Sequence, residues 1–229
     1  MKQSQAKKHD NAMTNKILMG LIALVLGLLF LEILIIHSKN EQQKSASNQV
    51  QTARIMANGD LLYHDGLYMS ALQADGSYDF TENFTYVKPW LKQADLVLGD
   101  FEGTINPDYP LSGYPLFNAP QSVTAAIKDA GYDVMDLAHN HILDSGLEGA
   151  FTTADAFKEV GIDPVGVYEN PVRDKAPLLI KNVNGIKVAI LSYAYGYNGL
   201  ESNLTDKEVA DHLSNLDEKR MKAEIQRAE

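Results

Sequence analysis

The chain has no cysteine among its 229 residues. This excludes disulfides, a thiolate metal site, a cysteine nucleophile and a lipid anchor attached through cysteine. Three catalytic or nucleotide-binding signatures are also missing: a GxSxG elbow, a GxxxxGKS/T phosphate loop and a GxGxxG following a strand. Histidine is sparse, with 6 residues, and none follows His212. Positive charge is scarce where nucleic acid would need it. Residues 1–54 hold 7 of the 20 Lys and Arg and 3 of the 30 Asp and Glu, which leaves 13 and 27 for residues 55–229, a formal charge of −14. That charge repels a phosphate backbone and argues against nucleic-acid binding. The same acidity suits an ordinary soluble surface or the field around a cation, and it does not choose between them.

Hydrophobic residues make up 45% of the chain, enough for a sizeable core. Its longest apolar run is "ILMGLIALVLGLLFLEILII", Ile17–Ile36. A helix of that length rises about 30 Å, the thickness of the hydrocarbon core. Its one charge, Glu32, lies in the last quarter. Lys2, Lys7, Lys8 and Lys16 precede it, which predicts a cytoplasmic N-terminus. The alternative is a cleaved signal peptide. Signal cores are shorter, about 7–15 residues, with small residues close behind; here "HSKNEQQK" follows. The expected organisation is a cytoplasmic tail (1–16), a single transmembrane anchor (17–36), a polar stalk (37–54) and one domain (55–229). The localisation that follows is the cell membrane, with the domain extracellular.

From Ile55 strand and helix patterns alternate. "RIMANGD", "ADLVLGDFEG", "YDVMDLAHNH" and "IDPVGV" read as strands. "TENFTYVKPWLKQ" has helical spacing, disturbed by Pro89 and Trp90. "SVTAAIKDAG" reads as a helix with Ser122 as N-cap and Gly131 as stop, and "GLEGAFTTADAFKEVG" as a helix closed by Gly161. Asn184-Gly185 between two apolar runs signals a hairpin. The last stretch, Thr205–Glu229, reads as one amphipathic helix with Val209, Leu213, Leu216, Met221 and Ile225 roughly on one side. Alternation of this kind predicts a parallel or mixed sheet covered by helices, with ligands beyond the carboxyl ends of the strands.

Three of those ends carry metal-ligand residue types: Asp60, then Asp100 and Glu102, then His139, Asn140 and His141, with Asp144 three residues on. Such hard or borderline donors suit Mn²⁺, Mg²⁺, Fe²⁺ or Zn²⁺. A pair of these ions polarises a phosphoryl oxygen and generates hydroxide, and a free histidine can protonate a leaving group. The alternative is structural: Asn140 caps the next helix and Asp144 tightens its first turn. Ser192 and Tyr193 have no evident partner, and "SYAYGYNG" reads as a polar-aromatic strand end rather than a stacking platform.

The order "NGD … ADLVLGDFEG … FNAP … AGYDVMDLAHNHILDSGLEGAFTTADAFKEVGI" resembles the capsule-synthesis CapA proteins, associated with poly-γ-glutamate capsules and similar to calcineurin-type metallophosphoesterases. The resemblance runs from about Ile55 to Tyr197 and is most specific over Phe117–Gly166. It implies an α/β fold of the four-layer α/β/β/α sandwich type, here incomplete and preceded by one transmembrane helix. It implies Asp60 as ligand of a first metal, Glu102 as a second-motif and possible bridging carboxylate, Asn140 as ligand of a second metal, His141 near the leaving group and Asp144 orienting His141 or the loop. His64 is a lesser candidate. Three departures stand out. Asp100 replaces a usual Asn, "AHNH" replaces a usual "ANNH", and the family's further histidine motifs are absent, so the sequence reads as an N-terminal portion.

The expected function is a membrane-anchored extracellular protein of capsule or poly-γ-glutamate-type exopolymer biosynthesis with a metallophosphoesterase-like site. Divalent metal ions are the expected cofactors. The expected partners are the membrane, the membrane subunits of a capsule synthase and an anionic exopolymer. The alternatives are a non-catalytic polymer- or synthase-binding subunit and, from fold alone, a solute-binding domain. Asp60, Glu102, Asn140 and His141 are expected to converge at one sheet edge, which requires the strand to end by Asn140 and leaves His139 either structural or a support to the ligands. With three or so firm ligands, residues 55–229 are expected to turn over phosphodiesters poorly.

Overall fold

The computed structural model describes residues 19, 24, 26–39 and 50–229. Two units result, Met1–Val50 and Gln51–Glu229. In the first, residues 26–39 are helical and the apolar side chains from Leu26 to Ile36 are exposed. Among the described residues no helix is long and apolar enough to cross a membrane. The predicted tail, and parts of the predicted anchor and stalk, lie outside the described residues.

The second unit is α/β. Strands β1 (Ile55–Asp60), β2 (Leu96–Asp100), β3 (Val134–Asp136) and β4 (Asp163–Val165) form a parallel sheet in the order β1-β2-β3-β4. Parallel neighbours need crossovers. Helices α1 (Asp65–Ala71) and α2 (Lys88–Leu91) lie in the first, α3 (Ser122–Ala130) in the second and α4 (Gly146–Glu159) in the third. Helix α3 buries Val123, Ala126, Ile127 and Ala130, the i, i+3, i+4, i+7 stripe of an amphipathic helix. Helix α4 repeats the pattern with Ala150, Thr153, Ala154 and Phe157.

The strands alternate between two cores. Val97 and Met135 face the helices, with Phe101, Ile127 and Phe157. Leu96, Leu98, Val134 and Val165 face the other way. There they meet Leu179, Val183, Val188 and Ile190 of an antiparallel hairpin, β5 (Leu179–Val183) and β6 (Ile186–Ile190). The order of layers is therefore helix, parallel sheet, hairpin sheet. As the sequence signals, the hairpin turns at Asn184 (φ 52°) and Gly185 (φ 86°), both in the left-handed conformation of a two-residue turn.

Three expectations need correction. Ser122 lies inside α3, whose N-cap is Gln121 with no side-chain cap bond. The "TENFTYVKPWLKQ" helix is a 3₁₀ turn (Thr81–Phe84) followed by the short α2, which has Pro89 in its first turn. The C-terminal stretch is two helices, α5 (Asp206–His212) and α6 (Glu218–Ala228). Between them Leu213 is fully buried and bridges Val167, while Asn215 bridges Ala194. Each helix also starts with its own cap: Thr205 forms a capping box with Glu208, and Asp217 accepts from the Arg220 amide. Tertiary pairing outweighs a helical period that would leave Leu213 on an exposed helix. Leu216 and Ile225 are about half exposed.

The segment between β2 and α3 folds over the carboxyl edge and is fastened by Asn118. The Asn118 amide accepts from Asn106 N at 2.8 Å and donates to the carbonyls of Asn106, Tyr109 and Pro110 at 2.9–3.2 Å. It is 3% exposed. Asn118→Ala strips these buried groups of partners and is expected to lower stability by roughly 2–3 kcal/mol. Urea unfolding with an unchanged midpoint would refute this role.

Candidate active site at the carboxyl edge of the sheet

The last residues of three adjacent strands are aspartates in register, Asp60 opposite Asp100 and Asp100 opposite Asp136. Beyond β2 the chain continues through Phe101, whose buried ring enters the helix-side core, and then Glu102. Gly103 adopts φ 136°, and a Cβ there would lie 3.2 Å from Phe117 Cβ. Glycine thus lets the Phe117 segment close over Glu102.

Strand β3 ends at Asp136, and the residues from His139 to Ser145 turn. Gly166 at the end of β4 holds this turn closely, since a Cβ on it would come within 2.6 Å of Ala138 N. The turn allows Asn140 and His141 to serve one region. His141 Nδ1 lies 2.7 Å from Asp144 Oδ2, and its Nε2 lies 3.8 Å from Glu102 Oε1. Asp144 Oδ2 also accepts from Phe117 N at 2.6 Å, and the Phe117 ring stands edge-on to His141 at 4.8 Å. The Asp144 carboxyl group holds the ring at Nδ1, which turns Nε2 toward Glu102.

The carboxylates crowd. Burial, the charges of Asp136 and Asp60 and a hydrogen bond with Asp60 push Asp100 up to about 7. Burial and a hydrogen bond with Asp60 also raise Glu102, against the pull of His141. Burial raises Asp136, although Ser192 Oγ and the Ala138 amide donate to its Oδ1. Asp144 is raised by burial, opposed by its bonds to Phe117 N and His141.

The predicted residues separate as follows. Asp60, Glu102, His141 and Asp144 form one connected series at the edge. Asn140 joins through Asn198: its Nδ2 donates to Asn198 Oδ1 at 3.2 Å, and Asn198 Nδ2 lies 3.4 Å from His141 Nε2. Neither Asn140 nor Asp144 caps α4, whose N-cap is Ser145. His139 is buried and its Nδ1 accepts from the His141 amide at 3.1 Å. Burial, with His141 beside it, pushes it down to about 3, so it is neutral. His64 caps α1, accepting from Asp65 N at 2.7 Å. Asp136 and Asn198 carried no separate signal in the motif. The strand predicted as "YDVMDLAHNH" ran on to His141, whereas β3 ends at Asp136. Ser192 and Tyr193, without partners in the sequence, bond to Asp136 and to Glu224.

Among the described residues, no group of three or more His, Asp or Glu side chains stands arranged to hold a metal ion. The donor chemistry fits a hard divalent cation all the same. Asp100 Oδ1 is buried without a hydrogen-bond partner, and Asp60 stands opposite Asp100 in the sheet and helps to raise both Asp100 and Glu102. Asp60, Asp100 and Glu102, with the Asn140 amide oxygen, are the residues that would hold such an ion.

A family model described as "Bacterial capsule synthesis protein PGA_cap" matches residues 54–229. The chain belongs to this family. Among similar proteins, the "Capsule biosynthesis protein CapA" of Bacillus anthracis is 36% identical over 115 residues, 48% of this chain and 28% of the relative. The "PGA biosynthesis protein CapA" of Bacillus subtilis (strain 168) is 25% identical over 189 residues, 81% of this chain and 48% of the relative. The chain thus spans less than half the length of either relative. The PGA_cap match includes all three aspartate-ended strands and the His141 turn.

Proposed function

We propose that this protein is a membrane-anchored, extracellular component of capsule or poly-γ-glutamate-type exopolymer assembly, with a metallophosphoesterase-like site. The names of the two CapA relatives support the capsule role. The helix, parallel-sheet and hairpin layers are compatible with part of an α/β/β/α sandwich. One observation carries the site: Asp60 and Asp100 end adjacent strands in register, and Glu102, just beyond, lies beside a histidine held by Asp144. A divalent ion bound there would supply Lewis acidity to a phosphoryl oxygen. The chain's own contribution is acid–base. Asp144 fixes the His141 ring through Nδ1, and Nε2 is left to hold or deliver a proton beside Glu102. Phe117 shields that pair from water on one side. The membrane subunits of a capsule synthase and the anionic polymer are the proposed partners.

The test is complementation of a strain lacking the gene. Wild type is expected to restore surface polymer. His141→Ala and Asp60→Ala are expected to fail while accumulating to wild-type level. Restoration by both variants would favour the non-catalytic, polymer- or synthase-binding reading. For topology, protease added to intact cells is expected to remove the domain and spare the N-terminal residues. A domain that resists until the membrane is opened would refute the anchor.

A further inference from the structure

We propose that Asn198 is a positioning residue of this site, fixing the orientation of the Asn140 amide and steadying the His141 ring. The inference rests on the proposed cation site only for what Asn140 faces.

Among the described residues, two that are not glycine have positive φ, Asn184 at 52° and Asn198 at 56°. Asn184 is explained by the hairpin turn. Asn198 lies outside any hairpin, between Tyr197 and Gly199. Left-handed backbone is unfavourable for a residue with a Cβ, though asparagine tolerates it best. At Asn198 this conformation coincides with two side-chain contacts. Its Oδ1 accepts from Asn140 Nδ2 at 3.2 Å, and its Nδ2 lies 3.4 and 3.5 Å from the two ring nitrogens of His141. The following Gly199, at φ 82°, turns the chain into the 3₁₀ helix Leu200–Asn203. Tyr197, just before, is buried and anchors the segment.

The consequence is chemical. An asparagine amide has a donor end and an acceptor end. A freely rotating Asn140 would offer a cation its NH₂ as readily as its oxygen. With Nδ2 committed to Asn198, Oδ1 is the end left over. His141 is likewise constrained twice, by Asp144 at Nδ1 and by the Asn198 amide against the ring. Partners that orient ligating residues in this way commonly change metal affinity by about 10–100-fold when removed.

The test uses the full chain in detergent. Asn198→Gly accepts the backbone conformation and removes the side chain with its contacts to Asn140 and His141, so its melting temperature should stay close to that of wild type. Its Mn²⁺ affinity, by calorimetry, should fall about tenfold or more. Independently of metal, carbethoxylation of His141, followed by mass spectrometry, should run several-fold faster than in wild type. Asn198→Asp keeps an acceptor for Asn140 Nδ2 and should retain at least wild-type Mn²⁺ affinity. In an Asn140→Ala background the Asn198→Gly loss of affinity should disappear, since the two act through one contact. Unchanged His141 reactivity in Asn198→Gly overturns the proposal, as does an equal loss of Mn²⁺ affinity with and without Asn140. Wild-type protein that binds no Mn²⁺ would refute the cation site, and the reactivity of His141 would still decide the role of Asn198.

Discussion

Arg173→Ala is expected to destabilise the domain by about 3–5 kcal/mol, the cost of breaking a buried ion pair from one side. The Arg173 side chain is 1% exposed. Its Nε and Nη2 meet the two oxygens of Glu224 at 3.0 and 3.2 Å. Its Nη1 donates to the Leu213 carbonyl at 3.2 Å. The guanidinium lies 5.6 Å from the centre of the Tyr193 ring, and Tyr193 in turn donates to Glu224 at 2.6 Å. Helix α6 buries no residue of its own, so this network supplies much of its docking. Alanine would leave Glu224 without its cation and the Leu213 carbonyl unpaired in the interior. Lysine should restore only part of the loss, because one ammonium cannot match both carboxylate oxygens and a carbonyl. Urea unfolding is the measurement. A loss under about 1 kcal/mol would mean that the pair behaves as an exposed one.

Asp100→Asn is expected to raise stability at pH 8 and to flatten its pH dependence. In the folded chain burial and the neighbouring carboxylates push Asp100 up to about 7, whereas an exposed aspartate loses its proton at about 3.9. The folded state therefore retains a proton, between those two values, that the unfolded chain has released. The stabilising contribution is complete below about pH 4 and is lost as pH rises through 7. Asparagine keeps the shape and removes the charge beside Asp60 and Asp136, so that loss disappears. The same change should weaken Mn²⁺ binding, since a neutral amide replaces an ionised ligand. Wild type should accordingly gain more thermal stability from Mn²⁺ at pH 8 than at pH 5. Melting curves of both proteins from pH 4 to 8, with and without Mn²⁺, decide this. A wild type that is most stable at pH 8 without metal would contradict the assignment.

Much of the sheet was legible because its signals are local. Continuous apolar stretches such as Leu96–Leu98 mark strands buried on both faces, and Gly131 and Asn184-Gly185 announce their turns. Helix α1 escaped notice because Gly66 weakens it and its N-cap is a histidine, His64. The helix expected from Thr205 to Glu229 failed because period alone cannot show that Leu213 and Asn215 pair with distant backbone. At the site, the residue types of the motif were readable, but their bonding was not. Nothing near His141 in the sequence indicates that Phe117 N shares Asp144, or that Asn198, 57 residues away, lies against its ring.

By itself the sequence determined the α/β alternation, the acidic domain without cysteine, and the placing of Asp60, Asp100 and Glu102 at or just beyond strand ends. These follow from composition, turn chemistry and hydrophobic period, which act over a few residues. Only the tertiary structure decided that Asp60, Asp100 and Asp136 stand in register, that Asn140 and His141 turn toward one region while His139 is buried, and that Arg173 ties α6 to Tyr193. Register and side-chain pairing come from packing between segments far apart in the chain, and no local pattern encodes them.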